Sequence, residues 1–179
     1  GGVCPEKGIN SIQVASHALS KINIGRINNS TTLNIGTING GTAFNAVPEN
    51  TNIKGDVRSH FLEEADEQVE KAKSAFQKAA SHYGATPTVY TTLGATGFSL
   101  KEDDPLVEKI KKANQDFEFN TVYERTGGVL DANTFAAKNI KIVDISHGGR
   151  NAHTTQESLN IPEFNRMEEY LFNFITSYL

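Results

Sequence analysis

The sequence predicts an α+β chain: an antiparallel-sheet two-layer sandwich over residues 1–97, then over residues 98–179 a run of short strands and helices like the edge of an α/β sheet. Three observations predict it. Residues 51–61 alternate apolar and polar side chains, two segments repeat apolar residues at spacings of three and four, and the pattern changes near Gly97.

Along the chain, Ile9, Ile12, Ala15, Leu19 and Ile22 form the apolar stripe of a helix over 9–22, with the breakers Pro5 and Gly8 just ahead of it. Asn28-Asn29-Ser30 is turn chemistry. A strand follows over 31–37, with Leu33 and Ile35 on one face, and Asn39-Gly40-Gly41 makes the next turn. Over 51–61, Ile53, Gly55 and Val57 face one way while Lys54, Asp56, Arg58 and His60 face the other, as in a sheet with one solvated side. Leu62, Ala65, Val69, Ala72, Phe76 and Ala80 make a second helix over 62–83, with Gly84 as its C-cap residue. Residues 86–92 are β-rich, and one further strand ahead of residue 1 would complete the sandwich.

In the second part, Asp103-Asp104-Pro105 is a helix start, with carboxylates at the N-terminus and Pro in the first turn. Residues 119–125 and 140–145 read as short strands, 131–137 as a short helix, and 160–179 as a final helix. In the final helix, Phe164, Met167, Leu171, Phe174 and Ile175 are expected to face inward. Gly127-Gly128 between them reads as a tight turn.

Composition narrows the function classes. The formal net charge is −4, from 17 Lys and Arg against 21 Asp and Glu, with no basic cluster along the sequence, which argues against a nucleic-acid surface. No window approaches the ~18 apolar residues of a membrane span, and no basic-then-apolar leader is present. The single cysteine, Cys4, permits no internal disulfide and fits a reducing compartment, hence a cytoplasmic location. The opening Gly-Gly-Val-Cys-Pro reads as a loop ahead of a helix, so we expect a piece of a longer protein.

Residues able to carry chemistry sit on turns and polar strand faces. Gly40 to Pro48 is a Gly-rich turn holding Asn45, and Arg58 follows thirteen positions after that Asn. An amide that donates and accepts, and a guanidinium fork, suit a carboxylate or a peptide backbone. Glu124 to Gly128 places Arg125 beside two glycines ahead of Asp131-Ala132-Asn133. His147 to Glu157 follows an apolar run and places His153 on a polar loop, where an imidazole can ligate zinc. Each of these is also explained, alone, by ordinary local structure. A hairpin turn with a surface Arg, a left-handed turn with an N-cap at Asp131, and a surface His would look the same.

Taken together and in this order, the motifs resemble the zinc-dependent exopeptidases (M20-like) that include peptidase T, tripeptidases and carboxypeptidase G. The resemblance runs through Gly2-Val-Cys-Pro-Glu-Lys-Gly, Gly-Gly-Thr-Ala-x-Asn-x-Val-Pro with Arg58, Arg-Thr-Gly-Gly-x-x-Asp-Ala-Asn, and His153-Thr-Thr-x-Glu. It covers essentially the whole chain and is strongest to the peptidase T branch. It implies a lid and dimerisation domain over 1–97 and a C-terminal, incomplete segment of the catalytic domain over 98–179. It further implies that His153 ligates one zinc of a two-zinc pair. Asn45 and Arg58 would reach the substrate, in their own or a partner subunit's site, and Arg125 would bind a terminal carboxylate. Gly127 and Gly128 would let a short peptide approach, and the lid would pair two subunits as a homodimer.

The family's other zinc ligands and its general-base Glu belong to a first half not represented here. No His-x-Asp followed by a Glu-Glu pair occurs, so this chain alone is expected to lack peptidase activity. The family's His ahead of the Gly-Val-x-Pro segment has no counterpart, since His17 and His60 do not match it, and Val129-Leu130 stand where the family turn has small polar residues. A related amidohydrolase or carboxypeptidase of the same fold, and a dimerisation module without catalysis, remain open readings.

Overall fold

The computed structural model describes residues 3–178, in two compact units, Gly1–Gly97 and Phe98–Leu179. In the first unit a 3-10 turn at Pro5–Lys7 leads to α1 (Ser11–Leu19). The short β1 (Gly25–Arg26), β2 (Thr31–Gly40) and β3 (Thr51–Ser59) precede α2 (Leu62–Tyr83). The strands form one antiparallel sheet in the order β1-β2-β3.

The first helix is shorter than its apolar stripe suggests. Asn10 is its N-cap and accepts a hydrogen bond from Gln13 N at 3.1 Å, which leaves Ile9 outside. Both helices pack against the sheet. They meet through Val14 and Ala18 of α1 and Ala79 and Ala80 of α2, and three alanines at this contact let the helix backbones approach closely.

The sheet register is read from its glycines. A bulge interrupts the β2–β3 pairing between Ile35 and Thr37. Opposite it, a Cβ on Gly55 would lie 2.4 Å from the Asn34 carbonyl oxygen, so only glycine fits. At the far end of the hairpin a Cβ on Gly40 would meet Thr51 Oγ1 at 2.5 Å, and Gly41 has a left-handed φ of +80°.

The start of α2 is tied to the sheet by one carboxylate. Glu64 Oε2 accepts hydrogen bonds from Ser30 Oγ (2.5 Å), Thr31 Oγ1 (2.5 Å), Asn28 Nδ2 (3.2 Å) and Ser59 Oγ (3.3 Å). These donors, Ser30 first and Thr31 next, hold its pKa down to about 2. The helix ends at Gly84, in the left-handed conformation (φ 70°), as its sequence predicts.

The second unit contains α3 (Pro105–Asp116), α4 (Asp131–Ala136), β4 (Gly149–Arg150), β5 (Ser158–Leu159) and α5 (Ile161–Ser177). Asp104 caps α3 through Leu106 N and pairs with Lys141 Nζ at 2.8 Å. Helices α3 and α5 enclose a core of Ile110, Ala113, Tyr170 and Phe174. Phe117 meets the Tyr170 ring edge-on at 5.5 Å, and the Arg166 guanidinium lies 4.5 Å over the Phe119 ring while donating to Phe117 O.

Three expectations are corrected here. Residues 86–92, 119–125 and 140–145 form no strand, because no ladder partner for them lies among the described residues. On α5, Phe174 is buried and Met167 packs on the same core as expected, but Tyr170 joins them, whereas Phe164, Leu171 and Ile175 are exposed, because the packed stripe follows α3 rather than the widest apolar arc. The residue at the α4 N-cap position is Leu130, with Asp131 inside the first turn, and Asn133 Oδ1 reaches back to accept from Leu130 N.

Candidate functional site

The structure places the six sequence-predicted residues at four points, two in each unit. In the first unit Asn45 stands exposed on the loop between β2 and β3, beside a fully exposed Phe44. The base of that loop is held. Pro48 is buried and its carbonyl accepts from Ser11 N at 3.0 Å, while Ser11 Oγ and Thr51 Oγ1 lie 2.8 Å apart. The double glycine thus turns the chain out of β2, and the Pro48 anchor returns it, leaving Phe44 and Asn45 at the projecting part.

Arg58 lies at the other end of β3. It stands opposite Thr32, seven positions along the strand from Thr51 at the hairpin tip. At roughly 3.3 Å per residue this separates the Asn45 loop from Arg58 by on the order of 20 Å, so one subunit does not bring the two together. The Arg58 Nε donates to Asp56 Oδ2 at 2.8 Å, with both side chains about half exposed. Asp56 is a partner the site prediction omitted, although strand alternation already places it on the Arg58 face.

In the second unit Arg125, Gly127 and Gly128 lie on the exposed segment ahead of α4, which has no regular structure. Thr126 Oγ1 accepts from Gly128 N at 3.0 Å. A Cβ on Gly127 would meet nothing within 4 Å, and neither glycine has a positive φ. The expected tight turn is therefore an open stretch with room along Gly127, curved by the Thr126 hydroxyl rather than by a left-handed residue.

His153 occupies the tip of the hairpin between β4 and β5. Its φ is +64°, a left-handed conformation uncommon for a residue with a side chain, and Asn151 shares it at +53°. Thr154 holds the turn, its N and Oγ1 both donating to Asn151 O while its Oγ1 accepts from Gln156 N. The hairpin base is clamped to α5: Arg150 meets Glu163 Oε1 at 2.9 Å, and Asn160, the α5 N-cap, donates from Nδ2 to the same oxygen and from N to Gly148 O. Gly148 is needed at this contact, with φ +84° and Glu163 Cβ 3.0 Å from where its own Cβ would stand.

Among the described residues no group of three or more His, Cys, Asp or Glu converges on one point. Zinc needs about three protein ligands, and His153 is a single imidazole with no further His, Cys, Asp or Glu grouped around it among the described residues, so the residues present do not by themselves hold the metal. What the arrangement offers is an imidazole on a strained, anchored tip, an exposed Arg beside an open glycine, and an anchored loop presenting an amide and an aromatic ring.

Residues 1–84, which span the sheet and both helices of the first unit, match the family model of a peptidase dimerisation domain, M20_dimer. The first unit resembles such a domain, and along nearly all of its length the chain resembles an aminopeptidase and a tripeptidase. A Bacillus subtilis (strain 168) protein, YqjE, is 37% identical over 97% of this chain and 47% of its own. The crystal structure of aminopeptidase PepT from Bacillus cereus ATCC 10987 superposes with a TM-score of 0.83 at 34% identity, over 97% of this chain and 47% of that one. A tripeptidase from Staphylococcus aureus superposes with a TM-score of 0.87 at 26% identity, over 96% and 46%. The chain thus spans about half the length of the relatives it matches.

Proposed function

We propose that this chain is the lid and dimerisation domain, with the adjoining C-terminal segment of the catalytic domain, of a metal-dependent exopeptidase. Its substrates in this reading are short peptides, cleaved as by an aminopeptidase or tripeptidase. The observation that carries the reading is the match along 97% of the chain, through both units, to an aminopeptidase at 34% identity. A dimerisation module alone would account only for the first 84 residues.

In this reading His153 ligates one of two zinc ions, whose chemistry is to activate a water and polarise the scissile carbonyl. Arg125 receives the peptide's terminal carboxylate, and the open backbone at Gly127 and Gly128 lets the peptide lie close. Asn45 and Arg58 donate to substrate carbonyl or oxyanion. Their separation within one subunit supports different duties, with the Asn45 loop reaching the site of the second subunit of a homodimer. No described helix is long and apolar enough to cross a membrane, and the enzyme is proposed to work in the cytoplasm.

A chimera tests this directly. The chain replaces the corresponding half of the Bacillus cereus aminopeptidase, and tripeptide hydrolysis is measured with zinc added. Hydrolysis that His153→Ala abolishes is the expected result. A folded, zinc-loaded dimeric chimera without turnover sinks the proposal. The chain alone is expected to bind less than one zinc and to show no turnover.

A further inference from the structure

A second feature lies on the helical layer of the first unit and is lined by none of the candidate site residues. A groove of about 630 Å³ runs between α1 and α2, lined by His17 of α1, by Lys21 in the turn just after α1, and by Lys71, Ser74, Ala75, Lys78, Ala79 and His82 from α2. Positions 71, 75, 78 and 82 share one face of α2, and Lys21 follows two residues after the end of α1.

The lining combines three lysines and two histidines with the small side chains of Ser74, Ala75 and Ala79. It includes no carboxylate, in a chain whose net charge is −4. Lys71 Nζ is neutralised by Glu67 Oε1 at 2.7 Å, but among the described residues neither Lys21 nor Lys78 makes an ion pair. Two ammonium groups therefore face one groove uncompensated. His17 and His82 meet edge-on at 5.5 Å, with Tyr83 packed against both. An imidazole offers at least one N–H donor in either protonation state.

Helix-end stabilisation explains part of this pattern. His17 and His82 lie in the last turns of their helices, where cations complement the macrodipole. Lys71 and Lys78 lie further back along α2, beyond the reach of that effect, and they still line the same groove.

We infer that this groove binds a multiply charged phosphate chain. The stretch from Lys71 to His82 covers eleven residues, roughly 16 Å at 1.5 Å per residue, enough for three linked phosphates. Lysine acts on phosphate as a flexible point charge, and Ser74, Ala75 and Ala79 leave it space to approach. The inference is independent of the proposed peptidase function.

Isothermal titration of the full chain with tripolyphosphate tests it. Saturable one-site binding is expected, weakened at least tenfold in Lys21→Gln/Lys78→Gln and weakened also by added salt. Thermal melting of the double variant should match the parent, which separates lost binding from lost folding. ATP in a parallel arm distinguishes sources: equal affinity assigns the site to the phosphate chain, and tighter binding assigns it to a nucleotide. The inference is overturned by absence of saturable binding, by equal binding to the double variant, or by equally tight binding of pentaglutamate.

Discussion

Arg150 and Glu163, thirteen residues apart, meet at 2.9 Å and fasten the hairpin that carries His153 to the first turn of the last helix. Both side chains are about half exposed, so the pair itself contributes little, on the order of 0–1 kcal/mol. Glu163 also accepts from the helix-capping Asn160. Glu163→Ala should therefore lower the stability of the second unit by more than Arg150→Ala does, by about 1 kcal/mol. Denaturant unfolding of the two variants checks the order, and equal losses would show that the clamp is not shared.

His153 sits at φ +64°, where a side chain costs backbone energy. His153→Gly should leave stability unchanged or raise it by up to about 1 kcal/mol, while His153→Val should lower it by about 1–2 kcal/mol. In the active chimera both should abolish hydrolysis. A strongly destabilised Gly variant would mean that the imidazole has a structural role that the hairpin geometry does not account for.

Two glycines separate structural from functional demand. A Cβ on Gly55 would press into the Asn34 carbonyl at 2.4 Å, so Gly55→Ala should cost about 1–3 kcal/mol. Gly127 has open space around it, and Gly127→Ala should change stability by less than about 0.5 kcal/mol. In the chimera it should raise KM with little change in kcat. An unchanged KM counts against a peptide lying over Gly127.

Glu64 makes the first unit sensitive to acid. Its folded pKa, about 2, lies below the ordinary glutamate value of 4.5, chiefly through the Ser30 and Thr31 hydroxyls. A depressed carboxylate contributes its full stabilisation above about pH 4.5 and loses it as pH falls toward 2. Glu64→Gln should melt lower than the parent at pH 7, and the gap should close between pH 4.5 and 2. A gap independent of pH would show that the amide fails for reasons of shape rather than charge.

Leu33 is buried between the sheet and α2, and Leu33→Ala should cost about 2–5 kcal/mol, read from chemical denaturation. A loss below 1 kcal/mol would place the core of this unit elsewhere.

Local pattern alone determined much of this protein. The register of apolar residues in 62–83, the breaker at Gly84 and the Asp104-Pro105 start each act within one or two helical turns, and each helix forms where these signals stand. The double glycine at 40 and 41 likewise marked the projecting loop, because a left-handed φ and a close approach leave glycine little competition. Only the tertiary structure decided what depends on a partner distant in sequence. Residues 119–125 have strand-like chemistry yet no ladder, since a strand requires another strand's N–H and C=O groups. Phe174 turned inward as its sequence predicts, but it was joined by Tyr170 rather than by Leu171 and Ile175 because α3 lies on that side. Asn45 and Arg58 belong to one motif in sequence, but an extended strand carries its ends apart, and that distance is set by backbone geometry rather than by which residues occupy it.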